Sequence, residues 1–272
     1  MNANTPDITA ISMPRSRHAT ILPCGPRSAH ATLPPFALDS KTTQEQEIAH
    51  LTKETQASQD MAILALAALA EIRDDETGSH ILRTQLYIRS LAERLRDHPR
   101  FVGFFTPENI ALLYKSAPLH DIGKVGIPDS ILRKPGRLDA DEFEIMKTHT
   151  TLGYEVLAQA ETRLGKAAPF LIFAKEISQS HHEKWDGSGY PQGLVGDAIP
   201  ISARLMALAD VYDALISRRV YKEPFSHEDA VAMIARGRGQ HFDPDMVDAF
   251  LSIQEDWRMI AAHHADQALA TP

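Results

Sequence analysis

Apolar side chains in this chain recur at spacings of three and four residues, and nowhere do they alternate long enough to make a strand. From Lys41 to Thr77 there is neither proline nor glycine, and Ile48, Leu51, Met61, Leu64, Leu66, Leu69 and Ile72 lie mostly on one side of a helix. The first half of that stretch, QEQEIAHLTKETQASQD, is polar and cannot be buried alone. Residues 45–60 therefore read as a lead-in helix, either solvated or packed against a second copy or an upstream partner. Ile81, Leu82, Leu86, Leu91 and Leu95 predict a second helix, closed by Asp97-His98-Pro99. Thr106 as N-cap and Pro107 in the first turn open a third, which runs through Ile110, Leu112 and Leu113 to Pro118.

Asp139 with Glu142 is an acidic capping box, opening a helix that carries Phe143, Met146, His149, Leu152 and Val156. Further helices are expected from about Ala168 to His181, from Pro200 to Ser217, from the Ser226 cap to Arg236, and from Pro244 to Trp257. The glycine-rich Trp185–Pro191 stretch reads as a shaped loop. The sum is an all-α helical bundle over residues 45–262, after a proline-rich, disordered leader at 1–44 and before a frayed tail at 263–272.

Composition narrows the chemistry. A net charge of -8 gives no general attraction to nucleic acid or anionic membrane, so any grip on phosphate must be local. A single cysteine, Cys24, excludes a disulfide framework and a thiolate-rich zinc site, and suits a reducing, cytoplasmic compartment. The start, MNANTPD, has no secretory pattern, and the longest apolar run, Met61–Ala70, is about half of what a bilayer span needs.

His120-Asp121 puts an imidazole beside a carboxylate, both ligands for divalent transition metals. Pro118 before the pair and Gly123, Gly126 and Pro128 after it predict an irregular junction between helices. Glu76 and His80, four residues apart, can share one helical face, although Gly78 lies between them. His149 falls on the apolar side of its helix, where a lone histidine is more often core than ligand. His181-His182 ends another helix, and Asp210 and Asp213 sit among inward apolar residues, costly unless paired or bound to metal. Taken together, Glu76, His80, His120, Asp121, His149, His181, His182 and Asp210 are too many ligands for one ion and suit two or three. Two ions about 3.5–4 Å apart would serve an in-line phosphoryl displacement.

The chain resembles the HD-GYP family of the HD phosphohydrolase superfamily. The name-giving residues stand as His120-Asp121 and Gly189-Tyr190-Pro191, among DDETGSH at 74–80, PLHDIGKVGIPD at 118–129, FEIMKTH at 143–149, SHHEKWDGSGYPQGL at 180–194, ARLMALADVYDAL at 203–215 and GQHFDP at 239–244. The resemblance implies an HD-type bundle with its metal site in the core and hydrolysis of cyclic di-GMP to pGpG, or on to GMP. It implies metal ligation by His80, His120, Asp121, His149, His181, His182 and Asp210, with Asp121 bridging, and by Glu76 in members that hold a third ion. It also implies catalytic roles for His120, Asp121 and Lys124, and substrate contacts from Lys124, Arg219, Lys222 and the Gly189-Tyr190-Pro191 loop.

The implied cofactors are two or three divalent ions, Fe or Mn first, with Ni, Co or Zn as substitutes. The implied partners are cyclic di-GMP, a GGDEF-type cyclase or receiver domain, and a second copy through the N-terminal helix. A receptor that binds the dinucleotide without cleaving it is the competing expectation. Ile216 and Val220 depart from the Thr and Pro usual in the family, outside the ligand set.

Overall fold

The structure is a computed structural model that describes residues 36–73, 78–165, 168–217 and 223–265. The chain divides into two units, residues 1–51 and 52–272, and everything described below from Thr52 onward belongs to the second. Among the described residues the regular structure is helical, with two isolated β-bridges, Asp186 to Val195 and Arg238 to Phe242, and no strand.

α1 (Phe36–Glu71) is one 36-residue helix. It starts at Phe36, so the helix takes in residues 36–44, which were expected to end the proline-rich leader but hold no proline themselves. Pro34 and Pro35 stop short of the helix, and nothing in 36–44 breaks it. Ala67, Ala70 and Glu71 are buried while Met61, Leu64, Leu66, Leu69 and Ile72 are exposed. No helix among the described residues is long and apolar enough to cross a membrane.

The core is built by α2 (Gly78–Leu95), α3 (Pro107–Ser116), α7 (Pro169–Ser180), α8 (Ile201–Ile216), α9 (His227–Arg236) and α10 (Pro244–His263). Tyr87, Tyr212, Phe250 and Trp257 are fully buried at its centre. Tyr87 stacks on Trp257 at 4.5 Å, and the Trp257 indole donates to Ser90 Oγ at 2.8 Å. The expected caps are in place: the Thr106 side chain accepts from Asn109 N, that of Ser226 from Asp229 N, and Asp139 and Glu142 form a full capping box.

Three elements differ from expectation. The helix predicted from Asp139 is two helices, α5 (Ala140–Lys147) and α6 (His149–Leu164), because the chain breaks at Thr148, whose hydroxyl turns back to Ile145 O. Phe143 and Val156, two of the apolar residues that this helix was expected to carry, are exposed. α10 runs past Trp257 to His263, with a kink at Ile253 (φ -126°). A short helix not anticipated, α4 (Asp129–Leu132), follows the loop after the His-Asp pair.

An ion network missed in the sequence ties separate elements together. Buried Asp243 accepts from Arg100 Nη1 at 2.7 Å and Arg204 Nη1 at 2.8 Å, joining the 3-10 turn Pro99–Phe101 and α8 to the start of α10. Trp185 lies against both guanidiniums, which seats the start of the glycine-rich loop.

Candidate metal centre

Pro118 lacks an N–H, so α3 gives way to a 3-10 turn over Ala117–Leu119, and a second 3-10 turn over Ile122–Gly126 follows. His120 and Asp121 occupy the junction between them, both buried. Gly123 makes this position possible: a Cβ there would lie 1.8 Å from His149 O and 2.6 Å from Gly153 N. The backbone after Asp121 therefore rests directly on the first turn of α6, which carries His149. His80 lies in the first turn of α2, His181 caps the C-terminus of α7 with His182 next, and Asp210 comes from α8.

Two groups of ligand atoms result, Asp121–His149–His181–His182 and His80–His120–Asp210, each with all its atoms within 4.8 Å of one another. They abut through the carboxylate of Asp121. Its Oδ1 lies 3.3 Å from His149 Nε2 and 3.6 Å from His181 Nε2; its Oδ2 lies 3.2 Å from His120 Nε2 and 2.7 Å from Lys124 Nζ. His80 Nε2 is 3.5 Å from His120 Nε2 and 4.0 Å from Asp210 Oδ1.

The tautomers follow from the partners. His120 Nδ1 meets Ala117 O at 3.0 Å, His149 Nδ1 meets Met146 O at 2.7 Å, and His181 Nδ1 meets Ile177 O at 2.9 Å. A carbonyl only accepts, so each Nδ1 carries the proton and each Nε2 lone pair is turned to the cluster. His80 Nδ1 donates likewise to Asp213 Oδ2 at 2.9 Å. Asp213 is held in turn by Arg83, through Nε at 2.7 Å and Nη2 at 2.8 Å.

Protonation agrees with open lone pairs at His149 and His182. Burial brings His149 down to about 4 and His182 well below the imidazole range, so both are neutral near pH 7. Burial raises the Asp121 carboxyl, but the Lys124 ammonium and His120 outweigh it and hold the group well below the usual carboxylate range. His120 moves the other way: burial opposes its charge, and Asp121 draws it up.

The residues fit divalent cations on this ground. Asp121 Oδ1, His149 Nε2 and His181 Nε2 are buried, converge on one another and make no hydrogen bond. Buried polar atoms in that state are costly unless something positive lies between them. Imidazole with carboxylate, and no thiolate, is a donor set for borderline transition metals.

Glu76, Arg219 and Lys222 lie outside the described residues. The Gly189-Tyr190-Pro191 loop does border the cluster: Tyr190 stacks on His182 with centroids 4.8 Å apart. A Cβ on Gly189 would lie 2.3 Å from Lys184 N, so the loop folds tightly back on the chain behind His182. Glu183, overlooked in the sequence, anchors it; its buried carboxylate accepts from Gln192 N at 2.7 Å and Leu194 N at 3.0 Å. Arg83 was overlooked too. Asp213 stood out only as an inward carboxylate, three residues from Asp210.

Comparison with known proteins agrees with these motifs. The family model described as HD domain matches residues 105–246, more than half of the chain. A cyclic di-GMP phosphodiesterase of Vibrio cholerae is 59% identical over 215 residues, covering 79% of this chain and 44% of that protein. A probable cyclic di-GMP phosphodiesterase of the same organism is 55% identical over 226 residues, covering 83% of this chain and 51% of that protein. The chain thus spans about half the length of these relatives. The crystal structure of the cyclic GMP-AMP specific phosphodiesterase V-cGAP3 from V. cholerae is alike in fold, with a TM-score of 0.54 at 17% identity, covering 76% of this chain and 51% of that one. With His120-Asp121 at the helix junction and Gly189-Tyr190-Pro191 beside it, the chain belongs to the HD-domain family, in its HD-GYP group.

Proposed function

We propose that this chain is a metal-dependent phosphodiesterase that opens cyclic di-GMP to linear pGpG, and carries it on to GMP where Glu76 adds a third ion. The observation that carries the reading is Asp121, a buried carboxylate whose two oxygens face two different histidine groups. The 59% and 55% identity to proteins described as cyclic di-GMP phosphodiesterases supports the choice of substrate.

Divalent ions held by the two groups would supply a hydroxide nucleophile near neutral pH and charge to balance the phosphoryl oxygens. The mixed imidazole and carboxylate set suits Fe or Mn, and Ni, Co or Zn would also be accepted. The chain's own residues hold the rest of the site. Asp121 would hold an ion on each side, the fixed Nδ1–H donors of His80, His120, His149 and His181 keep Nε2 available, and His182 and Asp210 complete the two ligand groups. Lys124, 2.7 Å from Asp121 Oδ2, is placed to donate to a phosphate oxygen as negative charge grows there. The Gly189-Tyr190-Pro191 loop walls the substrate cleft. In this reading Arg219 forks onto phosphate and Lys222 adds a point charge, which together give the local positive field that a net charge of -8 withholds globally.

The test is elemental analysis of protein purified without added metal, on the sample used for cyclic di-GMP turnover followed by chromatography. About two to three equivalents of transition metal, with pGpG or GMP appearing, is the expected result. Full metal and tight dinucleotide binding without turnover would replace the enzyme with a receptor. A sample low in metal is reconstituted with Fe(II) or Mn(II) before it is scored.

A further inference from the structure

A row of aromatic side chains leads from the candidate metal ligands to the surface. It begins at His182, continues through Tyr190 stacked on it at 30°, and ends at Phe143 of α5. Phe143 and Tyr190 stand nearly perpendicular, at 83° with centroids 6.0 Å apart, and so form a corner of one ring face and one ring edge. Lys147, one turn further along α5, places Nζ 5.5 Å from the Phe143 centroid and 5.8 Å from that of Tyr190. Its ammonium is kept in place by Glu144, 2.6 Å away.

Packing does not account for this corner. α5 buries none of its residues, and Phe143 retains 45% of its exposure. A large ring left open beside a buried polar cluster, with a cation across it, matches a flat π-system that carries hydrogen-bond acceptors. Purine bases have that character: any base stacks on an aromatic ring, and guanine adds the O6 and N7 acceptors that lysine recognises. A ribose or phosphate would gain little from two rings.

We propose that Phe143, Tyr190 and Lys147 form the subsite for one guanine base of the cyclic dinucleotide. Phe143 supplies the stacking face, Tyr190 the wall towards the metal ligands, and Lys147 the donor to the base edge. The assignment rests on the function proposed above and adds Phe143 and Lys147 to the residues that touch substrate.

The test uses metal-loaded protein, with cyclic di-GMP binding measured by calorimetry and turnover by steady-state kinetics. Phe143→Ala and Phe143→Leu should each raise Kd by about 5- to 150-fold, the span of base stacking on an aromatic ring, while Phe143→Tyr binds like the native chain. The loss should fall on KM rather than kcat, as for binding shared by ground and transition states, and metal content should stay as in the native protein. Lys147→Met should weaken cyclic di-GMP more than cyclic di-AMP, because adenine presents an amino group where guanine presents O6. Because Phe143 and Lys147 take no part in the buried hydrophobic clusters, where α5 contributes only Met146, these variants are expected to melt like the native protein, and a thermal scan checks it. If native protein binds and cleaves cyclic di-GMP while Phe143→Leu binds as tightly, the subsite is overturned and the enzyme stands. If Lys147→Met weakens both dinucleotides equally, the guanine assignment is overturned. Native protein that carries full metal yet neither binds nor cleaves cyclic di-GMP would overturn the proposed function, and the subsite with it.

Discussion

Asp213 offers no oxygen to either ligand group, yet it decides what His80 can do. Its Oδ2 accepts from His80 Nδ1, which leaves the His80 Nε2 lone pair facing His120 and Asp210. Burial works against its charge, but hydrogen bonds from Arg83 and His80 bring the carboxyl down to about 2. Asp213→Asn can turn an amide N–H towards His80 Nδ1, which would push the proton to Nε2 and remove the ligand lone pair. Losses of about 10- to 100-fold in metal affinity are typical when such a supporting partner is replaced. Competition with a chromophoric chelator reads it directly, and unchanged affinity would reduce Asp213 to an anchor for Arg83. As an inward carboxylate on an apolar helix, Asp213 was legible in the sequence. Its partner was not, because Arg83 stands on another helix 130 positions away, and no local pattern links them.

At the scale of elements, the site depends on backbones that touch. The 3-10 turn after Asp121 lies against the start of α6 with only glycine hydrogens between, at Gly123 and Gly153. Gly123→Ala would drive a methyl into His149 O and part the turn that holds Asp121 from the helix that holds His149. Overpacking against backbone, which cannot rotate away, should cost about 3 kcal/mol or more. Urea melts would show it, with loss of bound metal alongside; a variant of native stability would mean that the contact relaxes freely. The capping box, the Thr106 and Ser226 caps and the proline stops were legible because each is settled within four residues. The break at Thr148 was not, since apolar spacing runs on from Phe143 to Val156 without interruption. Phe143 is exposed on α5 and His149 buried on α6, one on each side of that break.

On the scale of the whole molecule, folding brings together groups that must be neutral and others that must be charged. Burial carries His149 and His241 down to about 4 from the ordinary value of 6.5. Between those values the unfolded chain binds more protons than the folded one, so stability falls as pH falls through that window. Metal-free protein should therefore melt at progressively lower temperature from about pH 6.5 to 4. Bound metal adds to this, because ligands cannot protonate without releasing it. At 100 times its Kd an ion contributes about 2.7 kcal/mol, so EDTA should lower Tm measurably at pH 7 and less at pH 4. A Tm indifferent to EDTA at pH 7, in protein shown to carry metal beforehand, would mean that the clusters do not hold it.

The sequence by itself determined the helices, their caps, the stops at proline and glycine, and the identity of most candidate ligands. Those properties rest on spacing and residue type, and they act within a few positions along the chain. Only the tertiary structure decided that Asp121 faces two histidine groups at once, that Nδ1 rather than Nε2 holds the proton in four histidines, and that Arg83 and Glu183 support the site from behind. The two faces of Asp121 and the Arg83–Asp213–His80 chain depend on segments tens of residues apart, brought close only by core packing. The other three tautomers and the hold of Glu183 are set within eleven residues, but by backbone geometry that residue type alone does not show.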